Sequence, residues 1–218
     1  MTGMTKGRAI FDLDGTLVDS APGILGCYRA ALAEMGHELP ADASVAAMIG
    51  PPLLDVCRDL LARLGDGRAE DLARRYRALY TEWGWSECAL YPGIAAALAG
   101  LTETGIVLHV ATAKRTVFAR RMLGHLGIAG FFASIRGSED GGAFDDKAVL
   151  VADVLREGAG PAAMVGDRSF DIAAARANAI PAIAVAWGYG QPSEHDGAVV
   201  ATRADELPAL IGDLVLQR

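Results

Sequence analysis

Two regimes of apolar patterning alternate along most of this chain. Residues 8–11, 106–112, 162–166 and 182–186 are nearly continuous apolar runs, the pattern of strands buried on both faces. Shorter runs at 131–136 and 198–201 are weaker strand candidates. Between them, apolar residues recur at helical spacing over 94–104, 116–126, 147–157 and 171–177, with a closing helix over 204–215. Strands that alternate with helices predict an α/β fold, a Rossmann-like parallel sheet covered on both faces.

One stretch breaks this alternation. Residues 21–86 hold helical patterns at 24–35, 53–64 and 68–83, parted by Gly36, Gly50-Pro51-Pro52 and Gly65-Asp66-Gly67, and no strand is expected there. An all-helical insert between the first strand and its crossover helix is expected to form a cap domain over 21–86. The core domain is then built from 1–20 and 87–218.

Composition narrows the possibilities. With 52% hydrophobic residues and 218 in all, a sizeable core is available. A net charge of −7 gives no general affinity for nucleic acid polymers or acidic membranes. No apolar run approaches the ~20 residues of a membrane span. Lys6 and Arg8 are followed by no apolar signal core, so a cytoplasmic protein is expected. Cys27, Cys57 and Cys88 are odd in number and lack a CxxC pair, as free thiols in a reducing compartment would be. No Cys/His cluster suggests zinc, and His37, His109, His125 and His195 share no motif.

The chemistry concentrates where predicted strands end. Asp12 and Asp14 follow the first strand, two residues apart, so side-chain alternation puts them on one side; Gly15 lets the chain turn away. Buried unpaired carboxylates are costly, which calls for a cation between them, Mg²⁺ above all. Thr112 ends the second strand; its hydroxyl and the Ala113 N–H form a candidate oxyanion cradle, a helix cap being the plainer reading. Lys147 opens a helix whose dipole disfavours a cation there. It either faces an anion in the site or answers Asp145 and Asp146 at the surface. Asp167 ends the strand 162–166, and Asp171 follows at the start of the next helix, where an N-cap role is open to it.

These motifs, in order, resemble those of the haloacid dehalogenase (HAD) superfamily. Asp12-Leu13-Asp14-Gly15-Thr16 is similar to its first signature, Thr112 to its second, Lys147 to its third and Gly166-Asp167-Arg168-Ser169-Phe170-Asp171 to its fourth. The resemblance implies a HAD-like core with a helical cap, and a phosphatase that works through an aspartyl-phosphate. Asp12 is then the nucleophile and Asp14 the general acid and base. Lys147, Thr112 and the Ala113 N–H hold the phosphate. Mg²⁺ is held by Asp12, the Asp14 carbonyl and Asp167, with support from Asp171. Two departures are visible: Ala113 where relatives often carry Ser or Asn, and Asn178-Ala179-Ile180 in place of an ending in Gly, with Asn178 expected as a left-handed helix cap.

Within the superfamily, the second Asp sets this chain apart from dehalogenases and phosphonatases. The run from Asp14 to Ser20, with Gly50-Pro51-Pro52-Leu53, is most similar to the phosphoglycolate phosphatase group. Ala111-Thr112-Ala113-Lys114, Gly137-Ser138 and Trp187-Gly188-Tyr189-Gly190 are also similar to HAD 5′-nucleotidases. The substrate implied is a small phosphorylated metabolite and the assembly a monomer or homodimer. Arg58 is a candidate for a substrate anion or a solvated helix residue; Trp83, Trp85 and Tyr91 are candidates for base stacking or hinge packing. A regulatory protein that keeps the fold without the chemistry is the alternative of another class.

Overall fold

The computed structural model describes residues 7–139, 142 and 144–216; Lys6 lies outside them. In chain order come β1 (Arg8–Phe11) and β2 (Val18–Asp19), then the helices α1 (Ala21–Glu34), α2 (Val45–Met48), α3 (Leu53–Arg63) and α4 (Ala69–Leu79). After β3 (Ala89–Leu90) follow α5 (Ile94–Glu103), β4 (Val107–Arg115), α6 (Thr116–His125) and β5 (Phe132–Ser138). The chain continues with α7 (Lys147–Leu155), β6 (Ala162–Gly166), α8 (Ser169–Ala177), β7 (Ala182–Val185), β8 (Val199–Ala201) and α9 (Leu207–Val215). It divides into two compact units, residues 1–19 with 90–218 and residues 20–89.

The first unit is a six-stranded sheet in the order β5-β4-β1-β6-β7-β8, parallel at every pairing. The continuous apolar runs earn their central places: β1, β6 and β7 are buried along their whole length. Ile10 and Met164 pack with Leu150, Val151 and Val154 of α7 and Ile172 and Ala175 of α8 in one core layer. Right-handed crossovers put α5 and α6 on the other face, where α5 meets α9. Strand order reverses direction at β1, with β4 and β5 to one side and β6, β7 and β8 to the other. That switch point is where open α/β sheets bind ligands.

The second unit is all-helical. Buried Tyr28, Ala31 and Leu32 of α1, Cys57, Leu60 and Leu61 of α3 and Leu72 of α4 form its core. Tyr76 lies 4.4 Å from the Tyr28 ring and stacks on Tyr80 at 5.7 Å. The helix expected over 68–83 stops at Leu79 and opens into a π-helical turn, Tyr80–Gly84, which keeps Tyr80 and Gly84 buried. The short helix α2 and the two-residue strands β2 and β3 have too few residues to show a period and were not foreseen.

One expectation is corrected. Asn178 does not take the left-handed conformation after α8; its φ is −100°, and Ala179 takes it instead, at φ 52°. The Asn178 side-chain amide donates to the carbonyls of Ala148 and Ala174, both at 2.9 Å. Those bonds tie the end of α8 to α7 and push the turn one residue on.

Candidate active site

Every strand-end candidate lies in the first unit, around the end of β1. The extended run stops at Phe11, so alternation does not carry on through Asp14. The Asp12 N–H still donates to the Val165 carbonyl of β6 at 2.9 Å. The chain then curls around the Leu13 carbonyl, which accepts from the N–H groups of Leu17 and Val18 at 3.0 Å. Gly15 makes this turn with φ 83°, and a Cβ there would stand 2.3 Å from Asp167 Oδ2. Only glycine lets the Asp14–Gly15 turn lie this close to the Asp167 carboxylate.

Two lysines each contact one of the two acids. Lys147 Nζ is 2.8 Å from Asp12 Oδ1 and also bonds Asp171 Oδ1. Lys114 Nζ is 3.0 Å from Asp14 Oδ2, while Asp14 Oδ1 is buried without a hydrogen-bond partner. Asp146 is not the partner of Lys147; its carboxylate caps α7 by accepting from the N–H groups of Ala148 and Val149. Nor is Asp171 an N-cap. It sits in the first turn of α8, with Oδ2 accepting from the Arg168 N–H at 3.0 Å and Oδ1 turned to Lys147.

Carboxylate oxygens of Asp12, Asp167 and Asp171 lie within 4.8 Å of one another, all three buried. Burial pushes the Asp167 carboxyl up to about 7, and the neighbouring charges of Asp12 and Asp171 push the same way. Burial, with the Asp12 charge, also raises Asp171 against the pull of Lys147. Burial would lower Lys147, but Asp12 and Asp171 override it and hold the ammonium above its ordinary range. Three acids against one ammonium leave excess negative charge in an oxygen-only donor set. Such a set fits a hard divalent cation such as Mg²⁺, with Asp12, Asp167 and Asp171 as the side chains able to hold it.

Thr112 was expected to end its strand, but β4 continues to Arg115, which pairs with Ser138; Thr112 is buried and its hydroxyl accepts from the Lys114 N–H at 3.2 Å. Ala113 is exposed beside it. Between Thr112 and Arg115 the register of β4 against β5 shifts. A bulge of this kind re-aims side chains, and here it accompanies the turn of Lys114 toward Asp14. Lys114 was not among the candidate site residues; its signals were its place two residues past Thr112 and the run Ala111-Thr112-Ala113-Lys114 that holds it.

The segment after β7 was also missed as part of the site. The N–H groups of Tyr189 and Gly190 donate to Asp167 Oδ2 at 2.7 and 3.2 Å, and Thr16 Oγ1 donates to Asp167 Oδ1 at 3.4 Å. Tyr91 packs beside Trp187, with ring centroids 6.5 Å apart. Trp83 lies against Gly26 of α1 within the helical unit. Arg58 is exposed and pairs with Asp55 at 3.1 Å and Glu70 at 3.7 Å.

Fold and site define a class: a Rossmann-type α/β hydrolase with its acids gathered at the switch-point strand. The chain belongs to the haloacid dehalogenase-like hydrolase family, which it matches over residues 9–185. It is 39% identical to "Tyrosine-protein kinase PtkA" of Mycobacterium tuberculosis, over 93% of this chain and 72% of that protein. It is 36% identical to the "5'-nucleotidase" of Pseudomonas aeruginosa, over 85% of each chain. It is 33% identical to the "Phosphoglycolate phosphatase" of Yersinia pseudotuberculosis, over 95% of this chain and 96% of that one. A solved structure described as "a predicted phosphatase from Clostridium acetobutylicum" is similar at a TM-score of 0.84 and 31% identity, covering 97% of this chain and all of its own. The family match, with the phosphatase relative and the phosphatase structure, makes the chain a phosphatase of the family.

Proposed function

We propose that this protein is a Mg²⁺-dependent phosphatase of small phosphorylated metabolites, most like phosphoglycolate phosphatase, acting through a phosphorylated Asp12. The observation that carries this reading is the buried Lys147 ammonium between Asp12 and Asp171, beside Asp167. Burying these charges costs desolvation that ion pairing only partly repays, and a site that takes a phosphoryl anion with a metal gives that cost a use. The helical unit, residues 20–89, corresponds to the insert expected as the cap domain over 21–86.

Asp12 attacks phosphorus in line with the leaving oxygen. The new Asp12 oxygen–phosphorus bond forms as the ester bond breaks, and Asp14 gives its proton to the departing oxygen. Asp14 then takes a proton from water, whose oxygen attacks the same phosphorus and releases phosphate and free Asp12. Lys147, the Thr112 hydroxyl and the Ala113 N–H bind the phosphoryl oxygens and balance charge that grows on them. Lys114 orients Asp14 through the contact at Oδ2. Asp12 and Asp167, with the Asp14 carbonyl and support from Asp171, would hold Mg²⁺, which would supply positive charge against the repulsion between the Asp12 carboxylate and the incoming phosphate.

The test is phosphate release from phosphoglycolate, nucleoside monophosphates and sugar phosphates, with and without Mg²⁺. Mg²⁺-dependent release with phosphoglycolate preferred is the expected result. A preference for nucleoside monophosphates would move the chain to the 5′-nucleotidase reading, which the Pseudomonas relative and the Thr112-Ala113-Lys114 run favour. No release from any ester, with Mg²⁺ bound, would overturn both.

A further inference from the structure

The segment after β7 does more than close the sheet. The Tyr189 N–H holds Asp167 Oδ2 at 2.7 Å, while the Tyr189 phenol donates to Asp19 Oδ1 at 2.8 Å. Asp19 is the last residue of β2, five residues beyond Asp14. Two residues before Tyr189, the Trp187 indole Nε1 donates to the Thr16 carbonyl at 3.0 Å. Gly188, between them, has no room for a side chain: a Cβ would stand 2.3 Å from the Gly15 carbonyl and 2.4 Å from the Asp167 Cβ. The segment thus grips the Asp14–Asp19 turn from one side and the Asp167 carboxylate from the other.

We propose that Tyr189 is a positioning residue: through its phenol on Asp19 and its backbone on Asp167, it keeps the turn that carries Asp14 in register with the acid cluster. Asp14 must serve two proton transfers, to the leaving oxygen and from water, and each tolerates little displacement. The turn spans only Leu13 to Asp19, so a hydrogen bond at its far end limits how far Asp14 can swing. Trp187 fixes the middle of the turn and Tyr189 fixes its end. This inference rests on the acid/base role of Asp14 proposed above.

The experiment is a double-mutant cycle on the full chain with Tyr189→Phe, Asp19→Ala and the pair together, plus Asp19→Asn. Tyr189→Phe keeps the ring and the N–H that binds Asp167, so Mg²⁺ affinity, read from metal-dependent melting, stays within about twofold. Each of Tyr189→Phe and Asp19→Ala lowers kcat about tenfold with KM little changed, a loss of about 1.4 kcal/mol of transition-state stabilisation. The pair is no slower than Tyr189→Phe alone, a change that also removes the hydrogen bond between the Tyr189 and Tyr91 side chains. Asp19→Asn keeps an acceptor for the phenol and restores most of kcat.

Losses that multiply in the pair, or single variants at the wild-type rate, overturn the positioning role. So does a Tyr189→Phe effect that falls on KM alone. Melting of the metal-free variants gives a readout independent of turnover: coupling of Tyr189 and Asp19 there, with no coupling in kcat, also rejects it. Failure of the phosphatase reading looks different, since the wild-type protein would then release no phosphate and Asp12→Asn would change nothing.

Discussion

The ion pairs of the helical unit and those of the sheet's carboxyl end obey different rules. In the helices, Arg58 meets Asp55 and Arg74 meets Asp71, each within one turn and each well exposed. Arg58 also reaches Glu70, but all these groups are exposed and water screens them, so each pair is worth little. At the end of β1, one largely buried ammonium is shared by Asp12 and Asp171, with Asp167 beside them. There the charges do not balance, and burial magnifies the imbalance. The contrast separates charge that water screens from charge that is buried at a cost to stability, which the proposed function assigns to an anion and a metal.

The largest effect expected is on turnover at the unbalanced end. Asp12→Asn keeps the shape and removes one negative charge from a crowded cluster. It should lower kcat on the order of 10⁴-fold or more, as loss of a nucleophile does, while the melting temperature holds or rises. Activity near wild type would remove Asp12 from the mechanism. Asp14→Asn should slow turnover about 10²–10⁴-fold, the usual share of general acid–base catalysis; a pre-steady-state burst of the leaving alcohol would show which of its two steps suffers more.

Lys147→Met tests the same imbalance through stability. Without the ammonium, Asp12 and Asp171 face each other unpaired, and removing one partner of a buried pair costs about 3–5 kcal/mol. Chemical denaturation without metal should show that loss, and saturating Mg²⁺ should recover part of it. A variant as stable as wild type without metal would mean that the cluster is not held together by Lys147.

How much of this was legible follows from which interactions are local. Continuous apolar runs announced β1, β6 and β7 because strands buried on both faces leave no polar side to mark a period. Asp12, Lys147 and Asp167 could be singled out because each follows a strand or opens a helix, and Thr112 because the apolar run 106–112 stops at it, although β4 goes on to Arg115. Lys114 could not, since its aim at Asp14 follows a register shift in β4, which no alternation rule contains. The hold of residues 187–190 on Asp167 and Asp19 spans distant parts of the chain, and the Asn178 turn was decided by the Ala148 carbonyl of another helix. Local pattern gave the scaffold and most acids; long-range hydrogen bonds chose how they are aimed.

A smaller effect should appear with pH. Burial raises Asp167 to about 7, so in the metal-free protein its proton favours the folded state at low pH. That contribution is lost as pH rises from the unfolded carboxyl range through about 7. A divalent cation needs the deprotonated carboxylate, so the two trends oppose. The stabilisation gained on adding Mg²⁺, read from chemical denaturation, should therefore grow from pH 5 to pH 8, by up to about 1.4 kcal/mol per pH unit below 7. A gain independent of pH over that range would place the cation away from Asp167.

The smallest effect should come from the helical unit, and it bears on Arg58. Its guanidinium is exposed and already answers Asp55 and Glu70. If that is its whole role, Arg58→Ala should cost less than about 1 kcal/mol in denaturation. KM for an anionic phosphate ester should stay as it was. A KM raised several-fold with unchanged stability would instead show that Arg58 meets the substrate. One cation of the helical unit would then belong with Lys147 and Lys114 among the charges held for function, and the division between the two regions would have to be redrawn residue by residue.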